Sequence, residues 1–364
     1  MGHKKVAIIG GGLAGTACAY VLRQKGHEPI IFEKSSELAH GASGNSLGLY
    51  NPRFYAEDRD EARFYRDAFL TAAQIFSQAG KEIDHVQNGG LHLILDETKE
   101  QRFRKVMGSG VWQEGDIKHF SAKQASEFAG VDIPYAAITL PKAGSVCPYK
   151  LCNYYAGESK VRYNASLNDI RVDKDGIWHV DGELFDAVIL ACGVNVKDFS
   201  QAAWIPVYTV RGQIVEVEAT PYSSPLKTDL RYGGYISAAY NGRHIIGSTF
   251  QKWIKHTDVR DEDSTYILDQ LHQTLPQLRD VSNVCDARAS MRCTTPQRLP
   301  VIGSVPDYSG LFISTAHGSH GLVTTLQAAY IIAEQIEDNM HSSYGYAHRF
   351  SPAKLKERLN KVTG

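Results

Sequence analysis

Near the start of the chain, the run Gly10-Gly11-Gly12-Leu13-Ala14-Gly15 has the spacing that brings backbone N–H groups up to a dinucleotide's pyrophosphate. Gly10 permits the tight turn, Gly12 lets the backbone approach the phosphates, and Gly15 lets the following helix pack closely on the preceding strand. The helix opening at Leu13 and Ala14 then points its positive dipole end at the anion. Glu33 ends the next apolar run about 20 residues on, where a carboxylate is expected to hydrogen-bond a ribose hydroxyl, with Lys34 beside it. A carboxylate there repels a 2′-phosphate and so disfavours NADP. These residues by themselves admit either NAD or FAD.

Other chemistries find less support. His85, His92, His244, His256 and His317 are scattered without metal-ligand spacing, and Cys147 and Cys152 have no companion pair, so no metal is expected. None of the six cysteines forms a CxxC pair, which fits reduced thiols in a cytoplasmic protein. With 39 basic and 40 acidic residues the net charge is −1, so no global field favours nucleic acid or membrane. Neither a leader peptide nor a run of membrane-spanning length is expected.

At 364 residues and 43% hydrophobic composition, about two domains are expected. A strand, glycine turn, helix and second strand open the chain. Apolar residues at helical spacing predict a long helix over 58–78, then a strand at 91–95 and a helical stretch over 98–107. From residue 160 short strands follow, with a turn at Asp173-Lys174-Asp175-Gly176, and end in an apolar run that closes on Ala191-Cys192-Gly193. Such a run is a buried parallel strand whose end abuts a ligand. Strands at 213–217 and 244–249, read as antiparallel, a helix over 261–275, and a turn, strand, glycine loop and helix over 307–336 complete the pattern. The predicted division places 1–80, 145–204 and 290–364 in a discontinuous nucleotide-binding domain, and 81–144 and 205–289 in a substrate domain.

The end of the strand at Gly193, Arg211-Gly212-Gln213 before a strand, and the block from Arg292 to Leu322 resemble the D-amino-acid oxidase superfamily of FAD enzymes, which includes glycine oxidase and sarcosine oxidase. A return to the cofactor near residue 320 suits extended FAD better than NAD. The resemblance implies an α/β fold: a Rossmann-like FAD-binding domain and an α+β substrate domain with a mixed, largely antiparallel sheet, in the D-amino-acid oxidase and glutathione-reductase-like architecture. Within the superfamily, three pieces are similar to the oxidoreductase half of the bifunctional tRNA 5-methylaminomethyl-2-thiouridine biosynthesis family. They are Gly41-Ala42-Ser43-Gly44-Asn45 with Gly48 and Tyr50-Asn51-Pro52, Arg292-Cys293-Thr294 through Leu299 to Asp307, and Gly318-Ser319-His320-Gly321-Leu322. No methyltransferase half precedes the glycine turn here, so methylation is expected to come from elsewhere or not to occur. His320 stands where that family often carries an arginine.

What the resemblance implies chemically is removal of a hydride from the carbon beside an amine nitrogen, followed by hydrolysis of the imine. For the tRNA family the substrate is a 5-carboxymethylaminomethyl group on the wobble uridine, an N-substituted glycine, which would release glyoxylate and leave an aminomethyl group. The alternative is a free amino acid of the glycine or sarcosine type. O2 or another acceptor would reoxidise the flavin. A rival from a different class is an electron-transfer module without turnover.

Arg292 is the implied carboxylate ligand, through two parallel hydrogen bonds. Arg211 reads equally as a residue near the flavin or as a structural one. His320 belongs to the loop Gly318-Ser319-His320-Gly321, which with Leu322 opens a helix whose positive end would face the flavin. Ala42, Ser43 and Asn45 are expected at the pyrophosphate or isoalloxazine. Alignment on Thr295-Pro296 puts Ser290 where sarcosine oxidase has its flavin-bearing cysteine, with Cys293 three residues late, so FAD is expected to be noncovalent. An RNA substrate asks for basic groups at the pocket mouth, for which Arg53, Arg59, Arg63, Arg66, Lys252 and Lys255 are candidates, the first four diluted by Glu57, Asp58, Asp60 and Glu61.

Overall fold

The computed structural model describes residues 2–167, 169–337 and 342–363, and divides into two compact units. The first comprises residues 1–46, 148–209 and 292–364, the second 47–147 and 210–291.

In the first unit, apolar runs with small flanking residues form a six-stranded sheet in the order Val301–Ser304, Leu311–Thr315, Ala187–Leu190, Lys5–Ile9, Glu28–Phe32, Lys160–Arg162. All pairings are parallel except that of Val301–Ser304 with Leu311–Thr315. The register sets Ile8 against Ile189 and Ile31. Alternation sends the two faces of each strand to different layers. Ala7 and Ile9 join Trp178, Val180 and Phe185 of a small three-stranded antiparallel sheet, while Ile8 faces the helix Leu13–Gln24. That helix packs along the late helix Gly321–Glu337.

The second unit holds an eight-stranded mixed sheet ordered Val284–Thr294, Tyr208–Glu218, Arg243–Gly247, Tyr235–Ile236, Asp229–Arg231, Gly90–Leu93, Ala137–Leu140, Lys118–Phe120. The strands predicted at 213–217 and 244–249 pair antiparallel, whereas Asp229–Arg231 and Gly90–Leu93 run parallel. One face packs Leu91, Leu93, Val215, Leu230, Ile236 and Ile246 onto the helices Ala122–Ala129 and Asp261–Thr274.

The structure departs from the predicted division at residues 47–80, which belong to the second unit. The strand Gly48–Tyr50 pairs with Gly144–Val146, and the helix Asp60–Ala79 sends Phe69 and Phe76 against Tyr50, with Phe69 also on Trp112 and Phe76 on His85. Its apolar face is real, but its partner is the other core.

Candidate active site

Four parallel strands of the first unit end on the same edge of their sheet: Lys5–Ile9, Glu28–Phe32, Ala187–Leu190 and Leu311–Thr315. Their carboxyl ends lead into Gly10, Glu33, Gly193 and Gly318, so residues dispersed over three hundred positions meet where open parallel sheets bind their ligands.

At this edge the glycines are steric necessities. A Cβ on Gly15 would stand 1.9 Å from the Gly10 carbonyl oxygen, and one on Gly10 would stand 2.7 Å from that of Ala191, with Gly10 at φ +112°. Helix Leu13–Gln24 has no side-chain cap from its N-cap Gly12, and of its first-turn amides that of Leu13 is taken by Ser43 while those of Ala14 and Gly15 are left for a ligand. Ser43 Oγ accepts from the Leu13 N–H at 3.1 Å, and the Ala39 N–H donates to Gly11 O at 3.0 Å, which ties the 39–45 loop to the turn. Ala42 is exposed and Asn45 half-buried on that loop. Buried Glu33 accepts from Gly11 N–H (2.6 Å) through one oxygen and from Ser35 N–H (2.8 Å) through the other. Each oxygen keeps lone-pair capacity for a ribose hydroxyl. Lys34 is exposed and reaches Asn195 Oδ1 at 3.5 Å.

Gly193 (φ +61°) accepts on its carbonyl from the Thr315 hydroxyl at 2.8 Å and lies beside Cys293, while Gly318 (φ +59°) lies beside Thr294. The strand Val284–Thr294 therefore delivers its end, including half-buried Arg292, to the same cluster of turns. Gly321 begins the late helix close to Leu13, so two helix N-termini converge. Half-buried His320 contacts Ser319 Oγ through Nδ1 at 3.3 Å, and Leu322 is half-buried. Burial pushes the thiol of Cys192 up to about 12 and raises that of Cys293, so both stay protonated at neutral pH.

Arg211 requires a correction. It lies fully buried in the second unit, where Nη1 donates to Asp263 and Gln251, and Nη2 to Gln213 and the Asp258 carbonyl. Its terminal N–H groups are spent on these partners, which supports the structural one of its two readings and not a place among the catalytic groups. The acidic neighbours likewise take up the first basic group: Arg59 pairs with Glu61, Arg63 with Asp58 and Arg66 with Asp67.

His317 stood out in the sequence only as one of the histidines without metal-ligand spacing, and Arg231 did not stand out at all. His317 bridges Ser314 Oγ (3.1 Å) and Thr324 Oγ1 (2.9 Å), and burial pushes its imidazole down to about 3, so it clamps the glycine turn as a neutral ring. Its adjacency to Gly318 was the available signal. Arg231, on a three-residue strand of the second unit, has a buried Nε without a partner and stacks over Tyr235 at 5.9 Å. No periodicity marks so short a strand. Among the described residues no cluster of His, Cys, Asp or Glu could hold a metal ion, and no helix is long and apolar enough to cross a membrane.

Comparison with known proteins bears on this geometry. Residues 5–335 match the family model described as FAD dependent oxidoreductase (DAO). The tRNA 5-methylaminomethyl-2-thiouridine biosynthesis bifunctional protein MnmC of Methylobacillus flagellatus is 29% identical over 360 residues, covering 90% of this chain and 55% of that protein. The chain thus spans about half the length of this curated relative. Glycine oxidase from Bacillus cereus superposes with a TM-score of 0.78 at 22% identity, covering 95% of this chain and 97% of that one. L-proline dehydrogenase from P. horikoshii gives a TM-score of 0.83 at 15% identity, covering 98% of each chain. L-alpha-glycerophosphate oxidase from Mycoplasma pneumoniae, solved with FAD bound, gives 0.77 at 16%, covering 96% of this chain and 99% of that one. These structural likenesses concern the fold.

Proposed function

Since this chain belongs to the DAO family of FAD-dependent oxidoreductases, we propose that it oxidises the C–N bond of an N-substituted glycine, namely the 5-carboxymethylaminomethyl group of a tRNA wobble uridine. The observation that carries this reading is the similarity to MnmC along 90% of the chain, at 29% identity.

The turn at the head of the first helix suits FAD, because neither Gly10 nor Gly15 has room for a Cβ. In this reading the Ala14 and Gly15 amides of that helix's first turn and Ser43 hold the pyrophosphate, and Glu33 holds the adenosine ribose. Gly193, Lys34, Ala42, Asn45 and the turn Gly318-Ser319 with Gly321 and Leu322 complete the cofactor's surroundings. Attachment is noncovalent in this reading, since Ser290 stands where sarcosine oxidase has its flavin-bearing cysteine. FAD, when bound, supplies a hydride acceptor for the carbon beside the amine nitrogen.

The remaining work falls to the protein. Arg292 grips the substrate carboxylate with two parallel hydrogen bonds, fixing the carbon that loses the hydride. The positive end of helix Gly321–Glu337 offsets negative charge that builds near it, and His320 sits in the turn from which it starts. Water then hydrolyses the imine, giving glyoxylate and the 5-aminomethyl group. Protein free in the cytoplasm fits this role.

Arg292→Ala tests the assignment. Turnover of the carboxylated substrate should fall at least about a hundredfold, the scale of a lost charge-assisted bidentate contact, with the flavin spectrum retained. Unchanged turnover removes Arg292 from the site.

A further inference from the structure

Trp253 is 75% exposed and Phe250 58%, the most open of the chain's large apolar side chains among the described residues. By contrast Trp112 and Trp178 are buried and Trp204 half-buried. Solvated aromatics on a slack loop would mean little, but this segment is pinned. Gln251 pairs with Arg211 through two backbone hydrogen bonds, both of 2.9 Å, and its side-chain amide donates to Asp263 at 2.6 Å. Ile254, next to Trp253, is 9% exposed and anchors the loop from within. Gln251 is half-buried between Phe250 on one side and Lys252 and Trp253 on the other, all three exposed. The buried Arg211–Asp263 pair thus serves as a latch that presents rings to solvent.

The charged side chains within the segment itself are basic, and acids begin at its far end with Asp258, Asp261 and Glu262. Residues 250–257 include Lys252, Lys255 and His256 and no acid. The first acid beyond them, Asp258, is engaged with His256 at 3.0 Å. Lys255 Nζ donates to the Lys252 carbonyl at 2.9 Å, so the two lysines form one cationic turn. Ring faces interleaved with lysines are what an unpaired polynucleotide strand uses, base on ring and phosphate on ammonium. An apolar protein partner would gain from the rings and pay for desolvating the lysines.

We propose that residues 250–256 are a base-stacking element for single-stranded RNA, with Phe250 and Trp253 receiving bases and Lys252 and Lys255 meeting phosphates. This rests on the tRNA reading above and adds to it the surface that holds the RNA loop.

The test is a fluorescence titration of the FAD-loaded protein with an unmodified anticodon stem–loop transcript, beside a fully paired duplex of the same composition. The stem–loop should bind more tightly than the duplex and quench the tryptophan emission. Trp253→Ala should weaken stem–loop binding at least about fivefold, the low end for one stacked base. Lys252→Ala with Lys255→Ala should lower the slope of log K against log salt by about 1.4, two phosphates' worth for single strands. Equal affinity of Trp253→Ala and wild type overturns the proposal, as does a preference for duplex, absence of stem–loop binding, or a Trp253→Ala effect confined to self-association in sedimentation. Stem–loop binding through Trp253 without oxidation of modified tRNA would leave this surface standing and fell the reading of the reaction.

Discussion

Arg211 and Asp263 form a fully internal ion pair, Nη1 to Oδ2, across 52 positions of sequence, and the same guanidinium also holds Gln213, Gln251 and the Asp258 carbonyl. Removing one partner strands a buried carboxylate. Arg211→Met should destabilise the protein by about 3–5 kcal/mol in urea unfolding, and Lys at this position should not restore it, since an ammonium cannot reproduce the fork. Arg211→Met combined with Asp263→Leu should cost less than Arg211→Met alone, because no unpaired charge remains. Simple additivity would show that the two do not act as a pair.

Gly15→Ala addresses the nucleotide turn. Its Cβ would meet Gly10 O at 1.9 Å, so the first helix must move away from the strand that precedes it. The purified variant should carry little FAD, read as the ratio of visible flavin absorbance to protein absorbance. Gly108→Ala, where a Cβ meets nothing within 4 Å, should keep the wild-type ratio. A Gly15→Ala protein with full flavin content would refute the close-packing role.

Asp229, buried, and Arg231, half-buried, stand two residues apart on one strand without an ion pair between them. Asp229 accepts from the Ala238 N–H at 3.0 Å through Oδ1, while Oδ2 has no partner. Burial pushes Asp229 up to about 6 from its ordinary 3.8, and Arg231 tempers the rise. The folded state thus holds its proton more tightly than the unfolded chain, so the stabilisation is complete below pH 3.8 and is lost as pH rises through 6. Asp229→Asn should therefore gain on wild type between pH 4 and 8, by up to about 3 kcal/mol. A pH-independent difference in denaturant unfolding would contradict the burial argument.

The nucleotide turn was legible because glycine reports directly on local backbone: Gly10, Gly15, Gly193 and Gly318 each sit at a close approach or a positive φ. Element positions such as Asp60–Ala79 and Asp261–Thr274 followed from periodicity within a window. What failed were long-range relations. Periodicity shows that the 60–79 helix has an apolar face, not which core receives it. Arg211 stayed open between a site and a structural role because its strand context is visible and Asp263, its partner, is not adjacent in sequence. Arg231 was silent because its strand is three residues long. The proposed role of Lys252 and Lys255 depended on the fold showing that their neighbours Phe250 and Trp253 face outward.

The reaction itself is tested most directly by anaerobic mixing of the FAD-loaded protein with tRNA bearing 5-carboxymethylaminomethyluridine, with glycine and sarcosine in parallel, while the visible flavin band is followed. The account predicts bleaching by the modified tRNA, release of glyoxylate, and no comparable bleaching by the free amino acids. Bleaching by glycine or sarcosine with an inert modified tRNA would contradict it and mark a free amino-acid oxidase, and no bleaching by any of the three would mark a flavoprotein that does not turn these substrates over.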